Sequence, residues 1–152
     1  MNQRDAIRMS EEELEIFLAG QLVVSVATIG GDGWPHVMPL WYVMRGGSLW
    51  VWTYAASQKV RNLERDPRAT LIVEAGDRYD ELRGAMIKAR AVIERDPALV
   101  SALGLAIYER YYDEVPHEVR QSVVRQAPKR VGIRFVELSR ASWDHRKLAA
   151  AT

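Results

Sequence analysis

Three strand-like segments joined by short glycine turns dominate the first third of this sequence. Residues 22–29 are apolar and rich in β-branched side chains, and Gly30-Gly31-Asp32-Gly33 separates them from a second such segment, residues 34–43. Gly46-Gly47 then leads into residues 49–53. Turns this short join neighbouring antiparallel strands, so the sequence predicts an antiparallel meander. The first glycine stretch is interpreted as a hairpin and not as a phosphate-binding loop, because a strand and not a helix follows it.

Further strand-like and helix-like segments follow this meander. Three of them resemble strands, and in the last two apolar side chains alternate with polar ones: residues 69–74, 86–93 and 131–136. Helical spacing or helix-start residues mark four others: residues 10–20, 57–66, 96–112 and 116–126. We therefore expect a mainly β (α+β) protein, a closed barrel of about six antiparallel strands flanked by helices. All 152 residues fit one domain, 1–152.

Charge and composition argue against several classes of function. The formal net charge is only +1, and acids balance lysine and arginine along the chain, so we expect no nucleic-acid partner. No apolar run approaches the ~20 residues of a membrane-spanning helix, so no membrane partner is expected either. The lack of cysteine excludes disulfides and thiolate metal sites and suits a cytoplasmic protein. The histidines, His36, His117 and His145, lie too far apart to indicate a metal site.

The segment from Trp50 to Pro67 carries the most specific functional signal. An aromatic strand, residues 50–54, meets a polar segment that begins at Ser57 and predicts a helix reaching about Asp66. The Ser57 side chain is predicted to cap this helix, and its free N–H groups, its dipole and the Lys59 ammonium would then converge on one phosphate. The alternative is a capped surface helix with solvated charges.

Trp50 and Trp52 lie on one face of the same strand, because strand side chains alternate. They either fill the barrel core or stack against a planar ligand.

Several short motifs in this order resemble the split-β-barrel flavin family, which includes pyridoxamine-phosphate oxidase and the flavin and deazaflavin oxidoreductases. The motifs are Pro39-Leu40-Trp41-Tyr42, Trp52-Thr53, Ser57 to Leu63, Asp66-Pro67 with the following strand, Tyr79 to Gly84, and Trp143 to Leu148. The resemblance covers roughly residues 10–148 and is closest to the deazaflavin branch. His36-Val37-Met38-Pro39-Leu40 stands where the pyridoxamine-phosphate oxidases carry an arginine-rich strand.

This resemblance implies a six-stranded Greek-key split barrel of the FMN-binding type that forms a homodimer, with F420 or FMN at the subunit interface and a small-molecule substrate. It implies an oxidoreductase in which hydride transfer depends on the cofactor, so no catalytic side chain is assigned. Pro39, Leu40 and Trp41 would line the cofactor ring. The implied cofactor-binding residues near the phosphate-bearing tail are Trp52, Thr53, Ser57, Gln58, Lys59 and Asn62. Those expected to serve the site of the partner subunit are Tyr79, Arg83, Trp143 and Arg146.

The sequence is also compatible with two other functions. A non-catalytic carrier of a flavin-like or tetrapyrrole ligand would need the same phosphate-binding residues as the enzyme. The presence of Lys59 therefore does not distinguish a carrier from an enzyme. An interaction domain whose barrel binds no ligand would need no phosphate-binding residues. The C-terminal stretch, residues 143–152, is expected to close over the cofactor, with a frayed terminus as the alternative.

Overall fold

The computed structural model describes residues 2–150, and the side chain of Ala150 is outside that description. The strands are β1 Val23–Ile29, β2 Pro35–Arg45, β3 Ser48–Tyr54, β4 Arg68–Ala75, β5 Arg83–Glu94 and β6 Arg130–Asp144. The helices are α1 Gln3–Ile7, α2 Glu11–Gly20, α3 Gln58–Arg65, α4 Pro97–Tyr108, α5 His117–Gln126 and α6 Arg146–Ala150. Short 3₁₀ helices span Tyr79–Glu81 and Ala127–Lys129.

The strands close into one antiparallel barrel in the order β1-β2-β3-β6-β5-β4. The predicted meander is confirmed, since β1 pairs with β2 and β2 pairs with β3 through the two glycine turns. β5 pairs with β4, which precedes it in the chain, and with β6. Two pairs join distant parts of the chain, β3 with β6 and β1 with β4. The predicted fold class, a six-stranded antiparallel split barrel with flanking helices, is therefore confirmed.

Two hydrophobic clusters stabilise the molecule. The first fills the barrel and includes Tyr42, Val51 and Ile133, each fully buried. The second lies outside the barrel wall, where α4 and α5 cover Trp50 and Trp52. The interpretation of these tryptophans as barrel core is therefore wrong: they lie on the outer face of β3, and a helix pair buries them there.

Glycine allows α4 to approach that face closely. A Cβ atom added to Gly104 would lie 2.8 Å from Cε2 of Trp52. Leu103 and Ile107 of the same helix join Trp52 in the second cluster. Burial of β3 on both faces follows from this contact, with Val51 inside the barrel and the tryptophans under the helix.

The end of α4 is fastened to α2 by Arg110. Its guanidinium donates hydrogen bonds to the backbone oxygens of Ala19 (2.7 Å), Gln21 and Tyr42. The Tyr42 hydroxyl donates to the Leu18 oxygen. Since the last carbonyls of a helix have no partner within it, these contacts cap α2, and they hold the segment after α4 against the barrel.

The described residues from 143 onward belong to a strand and a helix, and the expected closure of residues 143–152 over the cofactor stays a prediction. β6 continues to Asp144 and α6 follows, so Trp143 lies within a strand and pairs with Gly84. The tail residue Ala151 lies outside the described residues. Helices α1 and α6 were not predicted, and α4 ends four residues before the predicted limit of 112. The longest helix in the described part of the chain has 12 residues, and none there could span a membrane.

Candidate functional site

Helix α3 begins at a residue whose side chain is left without a partner. Ser57 occupies the position before the first helical residue, but its hydroxyl makes no capping hydrogen bond. The Ser57 Oγ atom is buried and has no hydrogen-bond partner among the described residues. The prediction that this hydroxyl caps the helix is therefore wrong. A buried hydroxyl without a partner is costly, so this atom indicates a place for an absent group.

Lys59 is buried and held in place. Its side chain is only 8% exposed, and its Nζ atom donates a hydrogen bond to Thr53 Oγ1 at 2.9 Å. Thr53 lies near the end of β3, so the strand places a hydroxyl beneath the helix. Burial lowers the pKa of Lys59, and the nearby Arg130 charge lowers it further. The alternative of a solvated charge is thereby excluded for Lys59, whereas Arg61 in the same helix is exposed.

Arg130, the first residue of β6, supplies a second cation. Its guanidinium carbon lies 4.4 Å from the ring centre of Trp52 and 3.7 Å from that of Tyr54. Its terminal nitrogen donates to Gln126 Oε1 at 2.6 Å, whereas its Nε atom is buried without a partner. Stacking between two rings fixes the guanidinium plane.

Sequence reasoning missed Arg130, because it lies just before the predicted strand 131–136. Only the pairing of Tyr54 with Arg130 across the β3–β6 ladder brings it to the end of the aromatic strand. We call Thr53, Ser57, Lys59 and Arg130 the Lys59 cluster. No ion pair within residues 2–150 neutralises either of its cations.

The Lys59 cluster adjoins an open groove of about 430 Å³. The groove, here called the aromatic groove, is lined by Val23, Pro39, Leu40, Trp41, Trp52, Ile107, Tyr108 and Arg130. Four of the predicted cofactor-binding residues are in this set, and they reach it from β2 and β3. Arg130 connects the groove to the cluster, since it belongs to both.

Aromatic rings form one wall of the aromatic groove. Trp41 stacks on Tyr111 at 3.9 Å between ring centres and meets Tyr108 edge to face at 5.5 Å. Tyr108 also meets Trp52 edge to face at 6.3 Å. The Tyr111 hydroxyl donates to the Leu22 oxygen at 3.0 Å. Tyr108 lines the groove and Tyr111 stacks on its lining residue Trp41, and sequence reasoning selected neither.

Gln58 and Asn62 lie on α3, the helix that carries Lys59, and their side chains are hydrogen-bonded to each other. Gln58 Nε2 donates to Asn62 Oδ1 at 2.9 Å, and Asn62 Nδ2 donates to Thr28 Oγ1 at 3.0 Å. Asn62 is fully buried. These contacts fasten α3 to β1, and the cofactor contacts expected of Gln58 and Asn62 stay predictions.

The remaining four predicted residues lie elsewhere. Arg83 stacks over the Phe17 ring at 5.2 Å, and Arg146 binds both carboxylate oxygens of Asp144, at 2.9 and 2.8 Å. Those hydrogen bonds hold the pKa of the Asp144 carboxyl below its ordinary value despite burial. Tyr79, Arg83, Trp143 and Arg146 are all absent from the lining of the aromatic groove. Their expected service to a partner subunit stays a prediction.

No group of three or more acidic, histidine or cysteine side chains suited to a metal ion occurs within the described residues.

The closed six-stranded antiparallel barrel and its flanking helices define a split-barrel protein. Residues 10–140 match the pyridoxamine 5'-phosphate oxidase family. The chain belongs to that family, and the resemblance inferred from its motifs is confirmed at this level.

A crystal structure of similar sequence supports the same assignment. The conserved hypothetical protein Rv2991 from Mycobacterium tuberculosis is 41% identical, with a TM-score of 0.89 over 98% of this chain and 93% of that one. No curated protein matches the sequence significantly.

More distant structures share the fold. An F420 reductase is 24% identical, with a TM-score of 0.66 over 84% of this chain and 94% of its own. The heme storage protein HutZ from Vibrio cholerae is 19% identical, with a TM-score of 0.68 over 88% of this chain and 93% of its own.

Proposed function

We propose that the aromatic groove and the Lys59 cluster bind a phosphorylated flavin-type cofactor, either F420 or FMN. We further propose that the protein is an oxidoreductase that transfers hydride between this cofactor and a small electron-poor organic molecule. The observations that carry the proposal are two fixed cations without ion-pair partners, Lys59 and Arg130, and the buried, unpartnered hydroxyl of Ser57.

The donors of the Lys59 cluster fit a phosphate group. Lys59 uses one of its three N–H groups on Thr53, and the Nε–H of Arg130 and the hydroxyl of Ser57 are unused. The N–H groups at the start of α3 add to them, together with the positive end of the helix dipole. Burial is the main cause of the lowered pKa of Lys59, and repulsion between the two cations adds to it. An anion placed between them relieves that repulsion.

The aromatic groove fits the planar ring of such a cofactor. Its lining is mainly apolar, and Trp41 and Trp52 offer ring faces or edges beside the Pro39 backbone. When bound, a flavin or deazaflavin supplies the hydride chemistry. The side chains of this protein would hold the tail, orient the ring and exclude water from it. The family membership and the fold shared with an F420 reductase support this function.

A carrier function for a flavin-like or tetrapyrrole ligand is the second candidate. The fold shared with a heme storage protein favours it, and the rings of Trp41 and Tyr108 that line the groove suit a large planar ligand as well as a flavin. Titration of the purified protein with FMN, F420 and heme, followed by absorbance, tests both functions.

We expect saturable binding of FMN or F420, and turnover when the reduced cofactor is offered with quinones and enones. Tight binding of cofactor or heme without turnover would favour the carrier. Arg130→Gln should weaken cofactor binding about tenfold, because it removes one charged partner of the phosphate. Arg61→Gln, an exposed change in α3, is the matched control. Absence of binding to all three ligands would refute both candidates.

We also expect a homodimer with the cofactor between subunits. Several apolar residues of β2 are exposed, with Val37 at 56%, Met38 at 43% and Trp41 at 43% exposure. Trp34, just before this strand, is 75% exposed. An apolar strand of this length in water is a typical interface feature. Sedimentation at micromolar concentration should give twice the chain mass of 17.3 kDa.

Val37→Lys should convert this dimer to monomer and weaken cofactor binding at the same time, since the site is shared. Val124→Lys places the same charge at a similarly exposed valine of α5 and should change neither property. A wild-type protein that stays monomeric at high concentration would contradict the shared site.

A further inference from the structure

Gln126 is hydrogen-bonded to Arg130, the cation that joins the aromatic groove to the Lys59 cluster. It is the last residue of α5, and the short 3₁₀ helix Ala127–Lys129 leads from it into β6, which begins at Arg130. Its Oε1 atom accepts the 2.6 Å hydrogen bond from the terminal nitrogen of Arg130. Its Nε2 atom donates to Ser122 Oγ at 2.9 Å, one turn earlier in α5. The guanidinium is thus fastened to the end of a helix.

The two hydrogen bonds determine which way the amide of Gln126 faces. A guanidinium only donates, so the amide must present its oxygen to Arg130. Its nitrogen then faces the Ser122 hydroxyl, which accepts. The rings of Trp52 and Tyr54 lie 4.4 and 3.7 Å from the guanidinium carbon and restrict its plane. Three side chains therefore hold Arg130 before any ligand is bound.

None of these three side chains carries a negative charge. Within residues 2–150 the other guanidinium nitrogens of Arg130 donate no hydrogen bond, and its Nε atom is buried. A carboxylate in the place of the amide would offset the charge of the guanidinium, whereas a neutral oxygen leaves it. Four other arginines of the chain are held by carboxylates, at 2.6 to 2.8 Å, in the pairs Arg8–Asp5, Arg68–Asp66, Arg140–Glu137 and Arg146–Asp144.

We propose that Gln126 is a positioning residue for anion binding: it fixes the Arg130 guanidinium and, because it is neutral, leaves the positive charge to the bound anion. The inference rests on the proposed function, since it takes the cofactor phosphate as that anion. A purely structural role would be to join α5 to β6. Such a role needs the hydrogen bonds but not a neutral partner, so exchange of the amide for a carboxylate separates the two roles.

Gln126→Glu retains the length of the side chain and both hydrogen bonds, since the Ser122 hydroxyl can donate as well as accept. It adds a negative charge beside Arg130. We expect about tenfold weaker binding of FMN or F420, because the guanidinium is neutralised. The melting temperature should stay the same or rise, because an ion pair has formed. Gln121→Glu adds the same charge at an exposed glutamine of α5 and should change neither property.

Gln126→Met removes the hydrogen bonds and adds no charge. It should weaken cofactor binding about fivefold, because the guanidinium is no longer fixed. Gln121→Met is the matched control. Wild-type affinity in Gln126→Glu would overturn the inference. The proposed function would still stand in that case if Arg130→Gln weakens binding.

The cofactor-free protein gives an independent measurement. Burial is the main cause of the lowered pKa of Lys59, and the Arg130 charge adds to it. Neutralisation of Arg130 in Gln126→Glu should therefore raise the pKa of Lys59, as followed by NMR titration of its ¹³Cε signal, and Gln121→Glu should not. Inorganic phosphate should shift the ¹⁵Nε signal of Arg130 in the wild type and less in Gln126→Glu.

The two kinds of failure can be told apart. A wild type that binds neither FMN nor F420 would refute the proposed function. Loss of the phosphate-induced shift in Gln126→Glu would still support the role of Gln126. An equal shift in both proteins, or an unchanged pKa of Lys59, would overturn that role whether or not a cofactor binds.

Discussion

Replacing Lys59 by methionine is expected to weaken binding of FMN or F420 by about 1.5 to 3 kcal/mol, roughly ten- to a hundredfold. Methionine retains the apolar stem of a side chain that is only 8% exposed, and it removes the ammonium that faces Thr53 and the proposed phosphate. Fluorescence or absorbance titration at neutral pH measures the change. Arg61→Met removes an exposed charge from the same helix and is expected to leave affinity almost unchanged.

The same substitution should not destabilise the protein without ligand. Because burial and the Arg130 charge lower the pKa of Lys59, the folded chain binds fewer protons than the unfolded chain between the lowered and the ordinary pKa. Wild-type stability therefore rises with pH in that window, and Lys59→Met should lose this rise. Its free energy of unfolding at neutral pH should equal or exceed that of the wild type, since a buried charge has been removed.

Cofactor affinity of the wild type should fall as the pH rises through the pKa of Lys59, since only the charged form attracts the phosphate. Unchanged affinity in Lys59→Met would show that α3 does not hold the phosphate, whatever ligand the aromatic groove binds.

Replacing Arg110 by methionine is expected to lower the free energy of unfolding by about 2 to 4 kcal/mol, the range for losing hydrogen bonds from a charged group and leaving acceptors without partners. The guanidinium donates hydrogen bonds to the backbone oxygens of Ala19, Gln21 and Tyr42, and it lies over the Tyr42 ring at 4.8 Å. Urea denaturation followed by tryptophan fluorescence provides the measurement. We also expect weaker cofactor binding, because the neighbouring Tyr111 stacks on Trp41, which lines the groove.

Arg120→Met is the matched control for Arg110→Met. Arg120 pairs with Glu109 at 3.7 Å, and both side chains are about half exposed, so this pair should contribute at most about 1 kcal/mol. Equal destabilisation by the two substitutions would mean that the hydrogen bonds from Arg110 to α2 contribute no more to the free energy of unfolding than an exposed ion pair does.

Local patterns in the sequence were sufficient for most of the elements. Ser10 and Glu13 form the predicted capping box at the start of α2, since both partners lie within one helical turn. The glycine turns fixed the first two strand pairings, because such short connections leave no other arrangement. Helix α3 was also predicted at nearly its observed limits.

Pairings over long chain distances could not be predicted in the same way. β3 meets β6 after about half the chain has intervened, and that ladder alone places Arg130 opposite Tyr54. The sequence also does not show that Trp50 and Trp52 lie outside the barrel. Both faces of β3 are buried and apolar, so no polar face indicates which side of the strand points away from the barrel interior.

The amino-acid sequence by itself determined the split-barrel fold class, the family, and the strand–helix junction that carries Thr53, Ser57 and Lys59, because these depend on residues close together in the chain. Only the tertiary structure decided that Lys59 is buried, that the Ser57 hydroxyl has no partner and that Arg130 completes the cluster. Burial and charge proximity are properties of packing between distant segments. No local pattern specifies them.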